Sequence, residues 1–155
     1  MIRPGVGDVV AVSARGKYYY ALLLSKVRLF GGHLVYVFHQ PSMQQLPVDQ
    51  IVSPGASGFH EIVDFIWAKR ENRLSRIASK VDITPFNTIR HFKNTFALKG
   101  KADFWWIYDE SFNRIRRTEL LTPGEMAYPL FHRIDDVVMC DLVDQEWTPA
   151  KDDRI

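Results

Sequence analysis

Histidine and cysteine are the side chains best suited to metal binding or nucleophilic attack, and this chain has five histidines and one cysteine. His33, His39, His60, His91 and His132 are scattered. His60 stands four residues before Asp64 and His132 eight before Cys140, and neither spacing makes a recognised ligand set. A cysteine nucleophile needs a base and surroundings that lower its pKa. Cys140 follows Met139 and precedes Asp141, whose charge would raise it, so it reads as a small core residue. The acidic pairs Asp109-Glu110, Asp135-Asp136 and Asp152-Asp153 are adjacent, and adjacent side chains diverge on a strand and splay on a helix. They read as caps and turn residues. "RPGVGD" and "FGGH" carry glycines without the GxxxxGK[ST] or GxGxxG patterns that cradle phosphate. No catalytic, metal or cofactor-binding set is expected, and the chain is not expected to be an enzyme.

Charge offers a second chemistry. Residues 1–60 carry a net +3, residues 61–101 a net +5 and residues 102–155 a net −6. Lys69, Arg70, Arg73, Arg76, Lys80, Arg90 and Lys93, set near aromatic strands, could hold phosphates while the rings stack bases. The whole-chain excess is only +2, no RNA-binding signature is present and the last third is acidic. The acidic residues could also simply solvate the surface or pair with Arg70, Arg73 and Arg76.

These residues need elements to position them. At 155 residues, 46% apolar, with no linker, repeat or low-complexity block, the chain reads as a single domain, 1–155. One cysteine fits a reducing compartment. Pro4, Gly5, Gly7 and Asp8 interrupt any signal-peptide core, and no apolar run nears the roughly 20 residues of a membrane span. A cytoplasmic protein with no membrane contact is expected.

The N-terminal part, about 7–40, reads as a β meander over 7–13, 18–26 and 33–39, with turns at Arg15-Gly16 and Gly31-Gly32. Its strands lack a polar face. Tyr18, Tyr20, Leu22 and Leu24 fall on one side, and Tyr19, Ala21 and Leu23 on the other, so something must cover both. Later strands and short helices are expected over 59–147. "EIVDFIWAK" favours a strand over 61–69, "KREN" with Arg73 suggests a hairpin turn, and 73–80 stays open between helix and strand. "FWWIYD" is another two-faced strand. Thr122-Pro123-Gly124-Glu125 marks a short helix. Residues 134–147 suit a helix with Asp135 and Asp136 at its start, or a strand, and the tail 148–155 is expected to fray. The fold class is α+β, mostly antiparallel β, with a small curved sheet or SH3-like barrel and one or two short helices.

The chain resembles the immunity protein 26 family of bacterial polymorphic toxin systems. The resemblance rests on Pro4-Gly5 before Gly7-Asp8-Val9-Val10-Ala11-Val12, on Gly16-Lys17-Tyr18-Tyr19-Tyr20-Ala21, on "VDFIWAK" and "FWWIYD", and on Trp147-Thr148-Pro149. It implies a cytoplasmic protein with no reaction of its own, which neutralises a cognate protein toxin, often a nuclease, by binding it. Gly-Asp before an apolar strand also occurs in SH3-like barrels, toxin-type ribonucleases included, so a nucleic-acid-binding or ribonuclease barrel is the alternative. For the immunity reading, carboxylates would meet the toxin's basic groove and an exposed tryptophan would anchor the interface. The candidate partner-binding residues are Trp105, Trp106, Asp109, Glu110, Asp135, Asp136, Asp144 and Glu146.

Overall fold

Arg15 and Gly16 both take positive φ, 54° and 72°, between paired Ala14 and Lys17, the two-residue turn that matches the twist of antiparallel strands. In the computed structural model, which describes residues 2–29 and 31–155, this turn joins β1 (Val9–Ala14) to β2 (Lys17–Lys26), and β3 (His33–Phe38) follows. The meander expected from the sequence is present. The chain divides into two compact units, Met1–Thr88 with Arg133–Glu146, and Ile89–His132 with Trp147–Ile155.

The first unit adds α1 (Val48–Ile51), β4 (Gly58–Asp64), α2 (Ile66–Arg70), β5 (Leu74–Ala78), β9 (Ile134–Asp135) and α4 (Asp136–Asp144). Its six strands run β5-β1-β2-β3-β4-β9, antiparallel except for the short β4–β9 pair. The sheet has two ends, so of the expected forms it takes the open sheet and not a closed barrel.

Both apolar sides of the meander are covered from within this unit. On one side α4 buries Met139, Cys140 and Val143, and Asp144 accepts the Tyr19 hydroxyl at 2.9 Å. On the other, the Tyr20 hydroxyl meets Ser42 at 2.5 Å and accepts the Leu46 N–H at 2.9 Å, while Phe86 packs on Tyr36 and Phe38. Val9, Tyr19, Tyr20, Leu22 and Leu23 lose all contact with solvent. Leu22 lies between Val9 and Tyr36, so Leu22→Ala is expected to cost about 2–5 kcal/mol in a urea titration. A loss below about 1 kcal/mol would show that this side can collapse around the missing atoms.

The strand expected over 61–69 stops at Asp64. Asp64 Oδ1 accepts the Ile66 N–H at 3.0 Å and turns the chain into α2. The helix ends at Arg70, and just past it Asn72 takes φ 54° while Arg73 N–H reaches the Ala68 carbonyl at 2.8 Å, so "KREN" closes a helix and not a hairpin. Residues 74–78 are strand β5.

The second unit holds a three-stranded sheet, β6 (His91–Asn94), β7 (Trp105–Asp109) and β8 (Arg114–Thr118), and α3 (Pro123–Met126). Thr122 and Glu125 form the expected reciprocal cap, at 3.3 and 2.9 Å. One side of this sheet packs Ala102, Trp105, Ile107, Leu121 and Leu130 with Trp147 and Ile155. The tail does not fray. Pro149 starts a 3-10 turn, Ala102 N–H bonds the Arg154 carbonyl at 2.8 Å, and Arg154 pairs with Asp152 at 2.6 Å. Trp147 and Ile155 give this polar stretch the apolar anchors that terminal segments usually lack. No helix among the described residues is long and apolar enough to cross a membrane.

Candidate partner-binding surface

Antiparallel and parallel pairing alike place opposed residues side by side, and in the first unit Asp64 of β4 opposes Asp135 of β9. Each strand then leads directly into a helix, so α2 and α4 begin next to each other. Their first turns leave four large apolar side chains in water. Trp67 is 53% exposed, Val137 49%, and Ile66 and Val138 39% each. Phe65, Ile66 and Trp67 are three consecutive apolar residues at a helix start, spanning about 200° of arc at 100° per residue. Only Phe65 is buried, so the other two are left facing out. The Arg70 guanidinium lies over Trp67, 5.2 Å from the ring centroid.

Charged residues neighbour these positions in the chain. Asp135 is the N-cap of α4, with Oδ1 accepting the Val138 N–H at 2.9 Å, and its side chain remains exposed. Glu71 pairs with Arg73 at 2.6 Å. An exposed tryptophan with aliphatic neighbours and a charged rim has the composition of an interface hot spot. Trp67 was not among the residues singled out from the sequence. The signal was the run Phe65-Ile66-Trp67, which a strand would divide between two covered faces and a short helix cannot bury.

The eight expected residues fare differently. Asp136, next to Asp135, is fully buried and accepts Arg73 Nη1 at 2.8 Å, so it is not surface. Its Oδ1 has no hydrogen-bond partner. Asp144 is committed to the hairpin, accepting Tyr19 and Arg15 Nη1 at 2.9 Å, with Lys17 at 3.7 Å and Arg15 also on Asp141. Burial works to raise the Asp144 carboxyl, but the Tyr19 and Arg15 bonds outweigh it and hold it below its usual range. Burial first, then Asp144, pushes Tyr19 up to about 12. Glu146, φ 50°, is exposed just beyond α4.

In the second unit Trp105 points into the core and Trp106 to the opposite face, as alternation requires. The Arg114 guanidinium sits 4.7 Å from the Trp106 centroid and that of Arg117 4.1 Å from Phe104. Cations, not carboxylates, therefore surround Trp106. Asp109 is used locally, accepting the Ser111 and Asn113 N–H groups at 2.9 Å, and its carboxyl is held below its usual range by those bonds. Glu110 is exposed, 3.7 Å from Arg90.

The basic set expected near aromatic strands is largely spent on internal contacts. Arg73 pairs with Asp136 and Glu71, Arg76 with Asp8 at 3.0 Å, and Lys93 is buried, donating to the Met126 and Pro149 carbonyls. Burial lowers Lys93 to about 8. Cys140 is buried, and burial with the nearby Asp136 charge pushes its thiol up to about 12, which suits packing and not attack. Among the described residues, no group of three or more His, Cys, Asp or Glu side chains is placed to hold a metal ion. No family model, curated protein or solved structure matches the chain.

Proposed function

We propose that this protein works by binding and not by catalysis, as a cytoplasmic immunity protein that neutralises a cognate polymorphic toxin, with a nuclease as the expected target. The observation that carries this reading is the exposure of Ile66, Trp67, Val137 and Val138 in the first turns of α2 and α4, the helices that follow the paired Asp64 and Asp135. An exposed tryptophan can anchor a partner, and the exposed Asp135 at the head of α4 can meet a basic groove. Asp135 replaces Asp136 and Asp144 as the carboxylate free to meet such a groove.

Co-expression with the product of the neighbouring gene, followed by pull-down, tests the reading. A tight complex is expected, with cells that express the neighbour surviving only when this protein is present. Trp67→Ala is expected to weaken the complex by about 30-fold or more, the scale of a 2 kcal/mol hot spot, without shifting the melting curve. Unchanged affinity in that variant would remove the surface from the interface. Retention of bulk RNA, lost steeply with salt, would instead favour a nucleic-acid function seated at Arg114, Arg117, Phe104 and Trp106.

A further inference from the structure

In the first unit a cavity of about 550 Å³ opens beside the sheet, walled by the N-terminal segment, the end of β2, the start of β3 and the start of α2. Arg3, Lys26 and Lys69 line it with His33, Asp64 and Phe65. Elsewhere in this unit Arg15, Arg73 and Arg76 find carboxylates, while Arg70 lies over Trp67. Among the described residues, Arg3, Lys26 and Lys69 make no ion pair. The one carboxylate in the wall, Asp64, is already held by Arg133 at 3.5 Å and by the Ile66 N–H at 3.0 Å.

Three unpaired cations facing one cavity repel each other, and a bound anion relieves that repulsion. His33 adds to the case. Among the described residues its half-buried ring has no hydrogen-bond partner, and burial, then the charges of Lys26 and Lys69, hold it below its ordinary range. A neutral imidazole there can donate to an anion. The volume lies within the range of small-ligand sites, and Pro4, Val6 and Phe65 supply an apolar wall for an uncharged body.

We propose that this cavity binds a phosphate monoester of about mononucleotide size, its dianion held by Arg3, Lys26 and Lys69 with His33 as a hydrogen-bond donor and its body against Pro4 and Phe65. The proposal is independent of the partner-binding reading, because it concerns a ligand of the protein alone.

Calorimetric titration of the intact protein with adenosine 5′-monophosphate and with inorganic phosphate, at matched ionic strength, tests it. Both are expected to bind, the monophosphate about tenfold or more tightly, since only it uses the apolar wall. Lys26→Met and Lys69→Met are each expected to weaken binding by about tenfold, the scale of one charge-assisted hydrogen bond, with the circular dichroism melt unchanged. The ring of His33 provides a readout that requires no variant. It faces Lys26 from β2, Lys69 from α2, Asp64 from β4 and Asp8 ahead of β1, and an added anion favours its protonated form. Its NMR titration midpoint is therefore expected to rise on saturation with the monophosphate. Equal affinity for the two probes, wild-type affinity in the Lys26→Met/Lys69→Met double variant, or an unmoved His33 midpoint at millimolar ligand would each overturn the proposal.

Discussion

Asp136→Lys is expected to leave the chain unfolded at room temperature, whereas Asp135→Lys, one residue away, is expected to cost about 1 kcal/mol, the usual worth of an N-cap. Asp136 has no solvent exposure, and its Oδ2 accepts Arg73 Nη1 at 2.8 Å. Removing one member of a buried pair costs about 3–5 kcal/mol, because the other charge is left without compensation. Lysine does more, placing a second cation beside Arg73 where water cannot reach. Against a typical total of about 5–15 kcal/mol, little stability remains. Asp135 only caps α4, and its side chain is already in water. Far-UV circular dichroism melts of the two single variants check this. If Asp136→Lys melts within a few degrees of the parent, the buried pair is not holding the first unit together. Reversing both carboxylates at once would confound unfolding with loss of binding, so only Asp135 is suited to probing an interface.

Gly58→Ala is expected to be the most damaging single-methyl addition in the first unit. Gly58 opens β4 opposite Phe38, and a Cβ there would lie 2.1 Å from the Val37 carbonyl oxygen and 2.7 Å from the Tyr36 ring. Neither neighbour can yield freely. The carbonyl is backbone, and Tyr36 is held by its hydroxyl bond to the Ala56 carbonyl at 2.6 Å and by contacts with Phe38, His60 and Phe86. The start of β4 must part from β3, at a cost beyond the about 1–3 kcal/mol of ordinary overpacking. Gly124→Ala is the control. Nothing lies within 4 Å of its Cβ position, and alanine in α3 is expected to be neutral or stabilising by up to about 1 kcal/mol. Urea midpoints measure both. A Gly58→Ala protein within about 0.5 kcal/mol of the parent would mean the two strands separate there at no cost.

How much of this was legible in the sequence depended on range. The Arg15-Gly16 turn and the Thr122–Glu125 cap were readable because each is set by residues within a few positions of one another, whereas the β-branched Val137 and Val138 left 134–147 open between the helix it forms and a strand. Asp135 and Asp136 look equivalent as letters. They separate because successive helical residues point about 100° apart, and because Arg73, 63 positions away, waits on only one of those bearings. Trp67 was hidden by the β-like composition around it, which reads as a covered strand until Asp64 turns the chain. The Trp105–Trp106 alternation was legible, but the arginines over Trp106 depend on the register of β8, which no local pattern gives. Arg3, Lys26, His33 and Lys69 meet only through the fold of the whole first unit.

The first unit is assembled from two stretches of chain, and the second, Arg133–Glu146, supplies the helix that covers one side of its sheet. On a ribosome, 58 residues separate Thr88 from Glu146, the end of that second stretch. At about 5–20 residues per second, the sheet waits roughly 3–12 s for its cover. During that interval Val10, Val12, Ala21 and Val37 have nothing of their own chain to pack beneath. Folding of this unit is thus tied to the synthesis of that later stretch, and its pairings are long in sequence, which slows the search. A nascent chain of this order is exposed to aggregation, and to whatever chaperone or partner reaches the bare face first.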